Sequence, residues 1–282
     1  MAHVNLDAAD GRRLLWINYL DYAGKLLASG NIQWLNIAEC LSWYRKAQGL
    51  LKSDILNIDI SYICTQFIES DAALLNLMRG KDKSIAPLKE LLSYPPLRAH
   101  ISELVMAARA TFPDLMLALV CPAPGRWVKT TYLKAFPESS QLDIGEDEVD
   151  YGALYTADFL RIFSGANVDL LLLEDGKLTK EHAEEFMPCY QTIINLANQY
   201  RWRFGIQFSE IVDRAELPLV DFIVSKISLD GPIHALELDQ KFWDNPCGAE
   251  HYKSHFLYVS IPISCEPEIV LDSLNMLRNS AS

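Results

Sequence analysis

The chain has 282 residues, half of them hydrophobic, and a formal net charge of −12 at pH 7. That composition can bury a sizeable core without disulfide staples, and its acidic balance, with no Lys/Arg-rich block, argues against a nucleic-acid partner. No apolar run approaches the ~18 residues that span a bilayer, and the polar opening MAHVNLDAADGRR has no signal core. The expectation is a cytoplasmic protein with no membrane contact.

In chain order, Asp10–Ser29 reads as an amphipathic helix closing on Gly30, and Asn36 caps a second helix carrying Ile37, Leu41, Tyr44 and Leu51. A short strand, DILNIDIS, precedes a mainly helical block from Thr65 to Ala110 that YPP breaks at Tyr94–Pro96. From Leu115 apolar runs alternate with helical patterns. The strands expected there are Leu115–Cys121, Val168–Leu173, Phe204–Phe208, Asp221–Ile227 and His255–Ile261, followed by a helix over Pro267–Arg278. Continuous runs such as VDLLLL suit a parallel sheet buried on both faces.

The fold expected is therefore α/β, a (β/α)8 TIM-like barrel, regular or irregular, with extra N-terminal helices, as one domain over 1–282. Six strands are readable, two short of closure; Ile32–Leu35 is one place for another, and an open doubly wound sheet is the alternative. No internal repeat is readable. The acidic DIGEDEVD at Asp143–Asp150 reads as a solvated loop entering a helix. Six scattered cysteines, Cys40, Cys64, Cys121, Cys189, Cys247 and Cys265, with no C-x-x-C pair, read as reduced thiols.

LALVCPAPGRW, GANVDLLLLEDG and RFGIQFSEI each place a turn or polar motif at a strand end. In that order they resemble the uroporphyrinogen decarboxylase and cobalamin-independent methionine synthase superfamily, over the stretch from Leu115 to the C-terminus. The resemblance implies a (β/α)8 barrel, with Glu174–Asp175 as the acidic strand ending and Ser209–Glu210 as the SE ending. The methionine synthase branch holds zinc with a His-x-Cys pair just before SE, where this chain has Gly205 and Gln207. Cys265 remains at a position where a cysteine ligand would be welcome. The resemblance therefore implies cofactor-free chemistry of the decarboxylase kind before zinc-dependent methyl transfer. The overall layout is also similar to an accessory protein of bacterial indole-3-acetate degradation clusters, which implies aromatic-acid catabolism.

In a barrel, the C-terminal strand ends carry function. This selects Asp59, Tyr62, Arg126, Trp127, Glu174, Asp175, Gln207, Glu210, Lys226, Ser228, Cys265 and Glu266. Arg126 can grip a carboxylate through two parallel hydrogen bonds, with Trp127 as an apolar wall, or it can be a surface arginine beside a core tryptophan. Glu174 and Asp175 point to opposite sides of an extended strand, and Glu174, which continues LLLL, is the one expected to enter the pocket as a general base, with a turn acid as the alternative. Lys226 and Ser228 alternate on one face, as do Gln207 and Ser209; an inward Lys226 would need a partner or a function, whereas an exposed edge would need neither. Cys121 ends a buried run with no adjacent histidine to activate it. Cys247, His251 and His255 are four apart, but Pro246 and Gly248 suggest a loop, so no metal site is expected.

The leading expectation is a lyase- or decarboxylase-like barrel enzyme, cofactor-free or weakly metal-dependent, acting on a small organic or aromatic acid. Glu174 and Lys226 would be catalytic, and Tyr62, Arg126, Trp127, Gln207 and Ser228 would bind substrate. The alternatives are a zinc-dependent methyltransferase-like protein and a non-catalytic binding or assembly protein on a barrel scaffold.

Overall fold

Runs that are apolar at every position can lie only where both faces are covered, and in the computed structural model they do. It describes Leu6 and residues 13–81, 83–139, 141–213, 217, 219–229 and 233–279. The strands among these are β1 (Leu15–Asn18), β2 (Ile55–Asp59), β3 (Met116–Pro122), β4 (Leu170–Leu178), β5 (Arg203–Ile211), β6 (Phe222–Ser225), β7 (Ile233–Leu238) and β8 (Phe256–Ser260). All pair in parallel in the order β1-β8-β7-β6-β5-β4-β3-β2, a nearly closed (β/α)8 TIM-like barrel.

The helices are α1 (Leu20–Ala28), α2 (Ile37–Leu51), α3 (Ile60–Ser70), α4 (Ala72–Met78), α5 (Ala86–Ser93), α6 (Pro95–Thr111), α7 (Pro124–Ala135), α8 (Glu146–Leu160), α9 (Lys180–Glu185), α10 (Gln191–Tyr200), α11 (Gln240–Asp244) and α12 (Pro267–Asn279). They cover the outward side of the strands, where Ile17, Ile58, Leu119, Cys121, Leu171, Leu173 and Ile206 belong to the larger apolar cluster. The inward residues form a second cluster, including Trp16, Ile55, Val120, Leu172, Phe222, Val224, Phe256 and Tyr258. The two-residue strand period thus sorts each run between two cores. Gly205 is dictated by the inner one: a Cβ there would stand 2.2 Å from the Phe222 ring.

The opposite, N-terminal end of the barrel carries a repeated clasp. Asp54, Asp169, Asp221 and His255 immediately precede β2, β4, β6 and β8. Each donates its backbone N–H to the carbonyl of Leu15, Leu117, Phe204 or His234 respectively, at 2.8–3.0 Å. Each side chain then accepts from the N–H of that same residue, at 2.8 Å for the three aspartates and 3.1 Å for His255 Nδ1. The result is a fourfold repetition of one paired hydrogen bond, one per two-strand unit, which residue identities do not display as a repeat.

Among the described residues no ladder joins β1 to β2. This seam is held by the Leu15–Asp54 clasp and by Ser53, whose Oγ accepts from Ile17 N at 2.9 Å and donates to Ile55 O at 2.7 Å.

Several sequence expectations need correction. The helix expected over Asp10–Ser29 is strand β1 followed by α1 from Leu20, because LWIN is too short for periodicity to separate strand from helix; residues 10–12 lie outside the described residues. Ile32–Leu35 is coil and turn, not a strand. The eighth strand is β7, hidden in sequence because only residues 226–232 separate it from β6, too few for the usual crossover helix. β6 ends at Ser225, two residues before the expected end, while β4 and β5 run on to Leu178 and Ile211. All six cysteines are free.

Candidate functional site

The inward register fixes what the strands present at their C-terminal ends. Inward Ile55 places Asn57 and Asp59 on the same face of β2; inward Leu172 does the same for Glu174, Ala235 for Glu237, and Tyr258 for Ser260. Gln207, paired in register with Glu174, follows inward Gly205. These side chains form a connected mouth. Gln207 Nε2 donates to Glu237 Oε2 at 3.0 Å, and Ser260 Oγ donates to Glu237 Oε1 at 3.3 Å. Arg126, in the first turn of α7, brings its guanidinium to 4.0 Å from the Glu174 carboxylate.

Asp59 also caps α3: its Oδ1 accepts from Ser61 N at 2.8 Å and from Ser61 Oγ at 2.6 Å. Burial and the Glu174 charge nonetheless push its carboxyl up to about 7, against the lowering effect of those bonds. Glu174 is raised by burial, opposed by the Arg126 cation and reinforced by Glu237 and Asp21. Beneath these acids the Asn57 carboxamide is buried, and neither its nitrogen nor its oxygen has a partner among the described residues; the same holds for Gln207 Oε1.

The outward side of β4 is different. Asp175, 6% exposed, accepts from Gly176 N at 2.7 Å, Tyr190 OH at 2.8 Å and His182 Nε2 at 3.1 Å. Those hydrogen bonds and the His182 charge hold it below the usual aspartate range in spite of burial. A cleft of about 380 Å³ opens beside this cluster and reaches Arg126 and Lys129.

Of the residues expected from sequence, Glu174, Gln207 and Arg126 meet at the mouth. Tyr62 stands beside them: burial and its hydrogen bond to Asp21 raise its hydroxyl, and the Asp59 and Glu174 charges add to this. Trp127 is not a pocket wall: it is 2% exposed and meets Phe159 edge-on in the helical shell, with centroids 6.2 Å apart. Lys226 lies past the end of β6 and is exposed, bordering a hollow of about 220 Å³ with Glu237, Asp239 and Tyr252. Ser228 is also exposed and donates to Lys253 O at 2.8 Å, so it does not share a strand face with Lys226. Cys121 points outward, fully buried, its thiol pushed well up by burial.

Sequence reading selected Asp59 without a role and missed Asn57, Glu237 and His182. The N-x-D alternation in DILNIDIS was the available signal for Asn57, and the alternation in IHALEL was the signal for Glu237.

The spaced Cys247, His251 and His255 do not converge. Cys247 Sγ donates to Tyr252 OH at 3.0 Å, His251 turns to Glu250 at 3.1 Å, and His255 serves the clasp. Among the described residues no group of three or more His, Cys, Asp or Glu side chains is placed to hold a metal ion. At Gly205 the Phe222 ring already fills the side-chain space.

These features define a (β/α)8-type barrel with an acid-lined C-terminal mouth. No known protein-family model matches the chain, and no curated protein matches it.

Proposed function

We propose that the chain is a lyase-like barrel enzyme, on the decarboxylase side of the superfamily it resembles, acting on a small organic acid at the C-terminal mouth. The observation that supports it is the pair Asp59 and Glu174. A carboxyl that titrates at about 7 is present in both protonation states near neutrality, as a group that both gives and takes protons must be. Glu174 is the neighbouring charge that helps set this value, and Arg126, 4.0 Å from it, is the residue we assign to the substrate carboxylate.

In a decarboxylation at this site the bond between carbon and carboxylate breaks, CO2 leaves, and the electron pair left on carbon takes the Asp59 proton. In the reverse sense of proton flow, the Asp59 carboxylate removes a proton from the carbon beside the acid group. Both need the acid's α-carbon next to Glu174 and Asp59.

Incubation with small acids in D2O, followed by proton NMR, tests this. The C–H signal beside the carboxylate should be lost or replaced by that of a deuterated product, and Asp59→Asn and Glu174→Gln should slow the exchange by roughly 10²-fold or more. Exchange that persists in both variants, or that no small acid supports, would sink the reading.

A further inference from the structure

The mouth accounts for one end of a substrate. The cleft beyond Arg126 has the features of a pocket for the other end. Its volume of about 380 Å³ falls within the range of small-molecule sites, and Leu142, Ile144 and Phe186 give it apolar walls. Arg126 and Lys129, three residues apart on α7, share one lip. Lys177, also in the lining, is taken up by Glu210 at 2.6 Å.

His182 also lines the cleft. Asp175 is kept ionised and can only accept, so His182 Nε2 must be the donor in their 3.1 Å bond. In its neutral form the ring then offers Nδ1 as an acceptor. The imidazole is also fixed in orientation, edge-on to Phe186 and Phe208 with centroids 5.3 and 6.3 Å away. The cleft thus combines a hydrogen-bonding imidazole, apolar side chains and two cations, a set complementary to a particular ligand chemistry.

We infer that this cleft is the specificity half of the site: it takes an amphipathic acid, with Arg126 and Lys129 on the carboxylate, an apolar body along Phe186 and Leu142, and a hydroxyl or N–H donor at the far end read by His182. The inference rests on the proposed function, which leaves the acid's α-carbon at the lip beside Glu174. His182 is a specificity residue and takes no part in the proton transfer.

The test is calorimetric binding of three probes: acetate, phenylacetate and 4-hydroxyphenylacetate. Phenylacetate should bind at least about tenfold more tightly than acetate, since a buried ring contributes well over one tenfold step. The hydroxyl should add roughly a further three- to tenfold, the worth of one hydrogen bond. His182→Gln, which still donates to Asp175, should erase the second step and keep the first. In wild-type protein the His182 Nδ1 nitrogen signal should move with 4-hydroxyphenylacetate and not with acetate, a readout independent of how the variant folds. Absence of binding, equal binding of the three probes, a hydroxyl preference that survives His182→Gln, or an unmoved Nδ1 signal would each overturn the inference. The expected binding order together with proton exchange insensitive to Asp59→Asn and Glu174→Gln would leave the cleft standing and remove the lyase reading.

Discussion

A carboxyl raised by its surroundings leaves a mark on stability as well as on chemistry. Asp59 has a folded value of about 7 against roughly 3.9 unfolded, so the folded state holds the proton more tightly. Its contribution is fully present below the unfolded value and is lost as pH rises through about 7. Asp59→Asn keeps the α3 cap and removes the ionisation. Thermal unfolding should show this variant more stable than wild type near pH 8, by on the order of a few kcal/mol, with the advantage shrinking toward pH 5. An advantage independent of pH would show that Asp59 is not raised. Single residues were legible where a strand's own run carried them to its end, as LLLL does for Glu174. The role of Asp59 was not, because the charge that helps shift it arrives from another strand. Trp127 was misread because Pro124 starts a helix there, and neighbouring residues on a helix face different ways.

Among the elements, the four clasps tie the strands together in pairs. Asp169 has a second partner: its Oδ2 accepts from Leu117 N at 2.8 Å and also from the Arg109 guanidinium. Asp169→Ala leaves both donors without that acceptor and should cost about 2–4 kcal/mol in urea unfolding; Asp169→Asn, which keeps an acceptor for Leu117, should cost less. Equal losses in the two variants would mean that the Leu117 bond contributes nothing. Strands that are apolar throughout were readable, and so was the helix break at YPP, where Pro95 and Pro96 open α6. β1 was not, because four residues carry no period, and the clasp was not, because its fourth member is a histidine.

The whole barrel is weakest where its ends meet. The β1–β2 seam has side-chain and clasp bonds in place of a ladder, while β4 and β5 pair over eight register positions. Backbone amides of β1 and β2 should therefore exchange with solvent before those of β4 and β5. Ser53→Ala, which strips the buried Ile17 N–H of its acceptor, should cost roughly 1–3 kcal/mol and widen that gap; uniform acceleration across the eight strands would show that the seam is not a separate opening unit. The barrel class was legible from alternation of apolar runs with helices, while closure was not, since it depends on contacts between distant parts of the chain. That dependence reaches back to synthesis. The ladder partner of β1 is β8, so Leu15–Asn18 meets Leu257–Ser260 only after the whole stretch between them has been translated. At ~5–20 residues per second, LWIN waits some tens of seconds as an apolar segment without its ladder, the interval in which a chaperone has most to hold.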